Sequence, residues 1–74
     1  MNTDRFPYEV IIHKSRHYEA EAWCRKHFGP RWAAIGNLDG RWCCFWTGRE
    51  RFGGYRYHFA DERDMLLFSL KWTS

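Results

Sequence analysis

The stretch Tyr55-Arg-Tyr-His-Phe59 decides the fold, because three aromatic residues alternate strictly with Arg56 and His58. Successive side chains of a β-strand point to opposite faces of the sheet, so this spacing predicts a strand with one apolar and one wet face. Antiparallel sheets commonly bury one face and leave the other in water. The pattern therefore predicts an antiparallel sheet that is covered on one side.

Segments upstream predict the other strands of the sheet. Residues 6–13 alternate apolar and polar types, are rich in β-branched residues and carry Pro7 near their start, which predicts a first strand. Residues 31–36 and 41–47 flank residues 37–40, Asn-Leu-Asp-Gly, whose types favour turns. These two flanks predict a β-hairpin that leads to the strand at residues 55–59.

Two segments have the apolar periodicity of helices. The first begins at Ser15, a predicted N-cap, and ends at Gly29-Pro30. The second covers residues 61–72 and begins with Asp-Glu-Arg-Asp, an acidic first turn that suits the helix dipole, with Asp61 as the predicted N-cap. The predicted order is β-α-β-β-β-α, an α+β fold whose antiparallel sheet carries both helices on one face.

The length of 74 residues predicts a single compact domain over residues 1–74. A domain this short buries only roughly 60% of the surface of its unfolded chain, so its core must be efficient. Five Trp, six Phe and four Tyr supply such a core, since each aromatic side chain buries about 150–250 Å². We expect most of the aromatic residues to be structural.

Cysteine use and hydropathy predict the compartment. The three cysteines are an odd number, two of them adjacent, and the N-terminal residues lack the apolar stretch of a signal peptide. This combination favours the cytoplasm. No apolar run approaches the eighteen or so residues that cross a bilayer, so no membrane partner is expected.

The reactive residue types predict neither a metal centre nor catalysis. Cys24 and His27 share a helical face, but Cys43 and Cys44 are neighbours on a strand and point to opposite faces, unlike the paired ligands of zinc sites. No nucleophile signature surrounds any Cys or Ser. Gly53-Gly54 precedes a strand, whereas phosphate-binding glycines open a helix. We expect no enzymatic activity, no metal and no cofactor.

Protein binding is the function that the sequence favours. If the helices cover one sheet face, the other carries Arg56, His58 and Phe45, a mixture typical of interface cores. The 48–54 loop places Phe52 between charged residues as an anchor. The predicted partner-binding residues are Arg49, Arg51, Phe52, Arg56, His58 and Phe45. The alternatives are an ordinary solvated sheet face and a Phe52 that folds back onto the core.

Nucleic-acid binding is the competing hypothesis. Twelve Lys and Arg against nine Asp and Glu give a net charge of +3, which permits contact with phosphates. Tyr55, Tyr57 or Trp46 would then stack on bases. The element order from Ser15 onward is similar to that of double-stranded-RNA-binding domains, but the second helix begins with acidic residues where that family carries lysines. Self-association as a homodimer is the simplest form of protein binding.

The order of motifs over residues 20–72 resembles small uncharacterised accessory proteins of tailed bacteriophages. The resemblance rests on Phe28-Gly-Pro-Arg-Trp32, Gly40-Arg-Trp42, Phe45-Trp46 and the strand at residues 55–59. It implies a viral context, in which short proteins bind and redirect a host factor or serve as minor structural components. The expected partner is a host or viral protein, and the expected location is the host cytoplasm.

Overall fold

The computed structural model describes residues 5–46 and 53–73, which form a three-stranded sheet and two α-helices. A short 3-10 turn, Lys14–Arg16, precedes the first helix. The α+β class and the antiparallel sheet predicted from the sequence are confirmed. The elements in chain order are β1 (Tyr8–His13), α1 (His17–Phe28), β2 (Trp42–Trp46), β3 (Gly54–Phe59) and α2 (Glu62–Trp72).

The alternating stretch quoted above forms the central strand of the sheet. The strand order is β1-β3-β2, and both pairings are antiparallel. Phe59 faces Tyr8 of β1 on one side and Trp42 of β2 on the other. Because side chains alternate along each strand, most aromatic and aliphatic residues of the three strands fall on one face, while Ile11 and Phe45 fall on the other.

Both helices pack on this apolar face, as the sequence predicted. The core cluster draws on all five elements: Val10, Ile12, Ala20, Cys24, Phe28, Trp42, Cys44, Tyr57, Phe59, Phe68 and Trp72. Phe68 of α2 is its centre, with ring centroids 4.7 Å from Tyr57 and 5.1 Å from Phe59. Such aromatic pairs contribute about 0.5–1.5 kcal/mol each beyond their buried area. The opposite sheet face receives no helix from the described part of the chain.

The stretch 31–36 was predicted to be a strand, and this detail is wrong. It forms a tight turn closed by one isolated bridge between Ala33 and Asn37. The Asn37 side-chain amide donates to the carbonyl oxygens of Pro30 (3.1 Å) and Arg31 (2.7 Å), so it binds backbone groups that a strand would use. Of the predicted hairpin pairing, one hydrogen bond remains among the described residues, from Trp32 N–H to Trp42 O at 2.7 Å.

Of the two N-caps predicted from the sequence, one is confirmed and one is wrong. Asp61 caps α2 as predicted, because its side chain accepts a hydrogen bond of 2.8 Å from the Arg63 amide. The prediction that Ser15 caps α1 is wrong. Ser15 lies inside the 3-10 turn, and its amide donates a hydrogen bond to His13 Nδ1. The α-helix itself begins two residues later, at His17.

Candidate functional site on the helix-free sheet face

The register of the sheet defines a second face, opposite the helices. We call it the helix-free face. Its members share one side of the three strands because they alternate with the core residues. They are Glu9, Ile11, His13, Cys43, Phe45, Arg56 and His58.

One row across the strands is open to solvent. Ile11 on β1 and Phe45 on β2 both lie opposite Arg56 on the central strand. Ile11 is 47% exposed and Phe45 is 43% exposed, while Arg56 is also exposed. Two apolar residues thus flank an arginine, and all three residues of this row are exposed.

The neighbouring row is more enclosed and contains an acid, an imidazole and a thiol. Glu9, His58 and Cys43 are aligned across β1, β3 and β2. His58 and Cys43 are buried, and His58 Nε2 lies 3.6 Å from Glu9 Oε2. The Phe45 ring packs against the edge of His58 at a centroid distance of 5.7 Å.

These three residue types are those of a cysteine nucleophile with a base and an orienting acid. Burial raises the pKa of the Cys43 thiol to about 11, so the group stays protonated near neutral pH. A reactive cysteine instead has a lowered pKa and an exposed sulfur. The row therefore has the composition of a catalytic triad without an activated nucleophile. Sequence reasoning missed the alignment, because only the strand register reveals it.

The sequence-predicted binding residues fall into two groups. Phe45, Arg56 and His58 come together on the helix-free face. Arg49, Arg51 and Phe52 lie outside the described residues, so their role stays a prediction.

The aromatic residues named for base stacking are mostly unavailable. Tyr57 is fully buried in the core, and Tyr55 stacks face to face on His17 at a centroid distance of 3.4 Å. The assignment of Tyr57 to stacking is therefore wrong, because its ring is enclosed by the helices. Trp46 remains 52% exposed at the end of β2.

Within residues 5–46 and 53–73, no group of three or more His, Cys, Asp or Glu side chains has an arrangement that could hold a metal ion. In the same ranges, neither helix has the length and apolar character needed to cross a bilayer. The chain matches no protein-family model, no curated protein and no solved structure. The resemblance to phage accessory proteins thus stays a prediction.

Proposed function

We propose that the protein acts by binding another protein through its helix-free face and does not turn over a substrate. The observation that carries the proposal is the row of Ile11, Arg56 and Phe45, in which exposed apolar side chains flank a guanidinium. Aromatic residues and Arg are enriched in the cores of protein interfaces. The resemblance to short phage proteins supports an accessory role for this binding.

The exposed apolar surface sets a scale for the affinity. Full burial of a side chain such as Ile or Phe is worth about 1.5–3 kcal/mol. Since Ile11 and Phe45 are each about half exposed, covering both contributes about 1.5–3 kcal/mol in total. That amount corresponds to a roughly ten- to hundredfold change in the dissociation constant.

The charge of the chain indicates the chemistry of the partner. The net charge is +3, and Arg56 stands in the middle of the exposed row. A guanidinium binds carboxylates with planar, charge-assisted hydrogen bonds. The partner that fits this face is a protein surface with an apolar patch beside acidic side chains.

The state of the thiol supports binding over catalysis. Cys43 is buried, and its pKa is raised to about 11 by that burial. The thiol is therefore neutral near neutral pH, whereas a cysteine nucleophile reacts as the thiolate.

The test is affinity capture from nuclease-treated bacterial lysate with matched variants. Ile11→Ser with Phe45→Ser removes the apolar row. Leu66→Ser with Leu67→Ser is the control, because these α2 residues are 52% and 48% exposed and lie away from the sheet. Both double variants are first checked for a native-like circular dichroism spectrum.

We expect a stoichiometric protein that the wild type and the α2 control retain and that the Ile11/Phe45 variant loses. Equal retention by all three proteins would overturn the proposed face. Recovery only in the absence of nuclease, with binding that weakens steeply with salt, would replace the proposal with nucleic-acid binding. A chain that sediments as a stable dimer, and becomes monomeric in the Ile11/Phe45 variant, would assign the face to a second copy.

A further inference from the structure

A pocket with a volume of about 280 Å³ lies beside β2, next to the helix-free face. This volume is at the lower limit of small-molecule sites and suits one side chain better than a whole cofactor. The pocket is lined by Arg31, Trp32, Ala33, Cys43, Cys44 and Phe45. We propose that it binds a carboxylate of an acidic peptide segment, with an apolar neighbour of that carboxylate against Phe45.

Among the described residues, Arg31 is the charged member of the pocket lining and no acidic side chain belongs to it. Its Nη1 donates to Cys44 Sγ at 3.7 Å and lies 4.0 Å from Glu21 Oε2. Glu21 is shared with Arg25, whose Nη2 is closer, at 3.6 Å. A guanidinium has five N–H donors, so these contacts leave Arg31 able to bind a further acceptor.

The two thiols do not neutralise this charge. Burial raises the pKa of Cys43 to about 11 and also raises the pKa of Cys44, even though Arg31 acts in the opposite direction on both. Both sulfurs are therefore protonated near neutral pH. The described lining therefore consists of one guanidinium and neutral groups, and the nearby Glu21 carboxylate, 4.0 Å from Arg31, is shared with Arg25. This arrangement favours an anionic occupant.

Trp32 forms a wall of the pocket. Its indole Nε1 is buried and has no hydrogen-bond acceptor among the described residues. Buried donors without a partner are uncommon in folded proteins. The ring is held in place, with the Phe6 ring against it at 5.7 Å and the Arg5 guanidinium over it at 5.9 Å. Because this nitrogen is closed to a water-sized molecule, the indole gives the pocket a fixed wall and no donor.

Phe45 connects the pocket to the helix-free face. It lines the pocket and also belongs to the exposed row opposite Arg56. A segment bound with its carboxylate at Arg31 would therefore extend over Phe45 onto that row. In this respect the inference rests on the proposed function, since it names the residue by which the partner is anchored.

The test is amide NMR of the isotope-labelled full chain, titrated with phenylacetate and, separately, with phenethylamine. The two probes share an aromatic ring and differ in charge. We expect phenylacetate to shift the amides of Ala33, Cys44 and Phe45 and the indole N–H of Trp32 in a saturable way. Phenethylamine is expected to leave them unchanged. Equal shifts from both probes, or phenylacetate shifts elsewhere, would overturn the proposal.

Matched variants then test the guanidinium. Arg31→Gln should weaken phenylacetate binding by about tenfold or more, because a charge-assisted hydrogen bond is lost. Arg25→Gln should stay within about twofold of the wild type, since Arg25 pairs with the same Glu21 but does not line the pocket. An unchanged affinity of Arg31→Gln for phenylacetate would contradict the role of the guanidinium. If that variant misfolds, the two titrations of the wild type still test whether the pocket prefers the anionic probe.

The outcome is separable from that of the proposed function. The probes act on the isolated protein, whereas partner capture depends on Ile11 and Phe45 together. If phenylacetate does not bind, but the Ile11/Phe45 variant still loses the captured partner, the pocket proposal is rejected and the proposed binding face is kept. If phenylacetate binds in the pocket, but no partner is captured in a way that depends on Ile11 and Phe45, the pocket is kept and the proposed binding face is rejected.

Discussion

Removal of Arg41 is expected to destabilise the fold more than its position on the surface suggests. Arg41 donates from Nη2 to Asp64 Oδ1 at 2.7 Å and from Nε to Asp64 Oδ2 at 3.1 Å. The Arg41 side chain is 53% exposed, but the Asp64 side chain is only 2% exposed. Arg41→Ala would leave a buried carboxylate without its cation and would remove the guanidinium from above the Phe28 ring.

The magnitude follows from this asymmetry. Removing one partner of a fully buried ion pair costs about 3–5 kcal/mol. Half of Arg41 is in water, and Asp64 lies in the first turn of α2, where the helix dipole offsets about 0.3–1 kcal/mol. We therefore expect Arg41→Ala to lower the free energy of unfolding by about 2–3 kcal/mol, or the Tm by about 10–20 °C.

Urea and thermal unfolding, followed by circular dichroism, measure this loss. Arg25→Ala is the matched control, because Arg25 pairs with Glu21 at 3.6 Å on the surface of α1, where such pairs contribute about 0–1 kcal/mol. Arg41→Ala combined with Asp64→Asn should recover part of the stability, since it removes the buried charge. A loss in Arg41→Ala no larger than that in Arg25→Ala would refute the reasoning.

Three further changes have defined outcomes. Gly40→Ala should cost about 1–3 kcal/mol in urea unfolding, because an added Cβ would overlap the Trp32 backbone. Burial lowers the pKa of His17, so protonation opposes folding; stability should fall as the pH drops below about 6.5, and His17→Asn should show a smaller pH dependence of the urea midpoint. Asp61→Ala should cost about 1 kcal/mol, measured as a lower Tm, because it removes the side-chain cap of α2.

The division of strand residues between a buried face and a helix-free face could be predicted from the sequence, because it depends only on the alternation of apolar and polar residues along each strand. The period of two in residues 55–59 correctly separated core from helix-free residues on the central strand. The segment 31–36 could not be predicted in the same way. Its composition is typical of a strand, but the Asn37 side chain binds the carbonyl groups of Pro30 and Arg31 at its start. Such competition from a side chain leaves no periodic signal in the sequence.

Features that depend on long-range register were also beyond the sequence. The alignment of Glu9, His58 and Cys43 requires the relative offsets of three strands, and a shift of one residue would move each side chain to the other face. The contact of Arg41 with Asp64 joins residues 23 positions apart. Both depend on how the elements pack.

The exposure of Phe45 is informative because the register of the sheet imposes it. The core is built on large aromatic side chains, and Trp42, Tyr57, Phe59 and Phe68 are fully buried. Phe45 nevertheless stands 43% exposed, on the side of β2 away from the helices. Turning Phe45 into the core would require a register shift that expels Trp42 and Cys44. The sheet that forms the core therefore forces Phe45 outward, and a partner over this face would bury it without any change of fold.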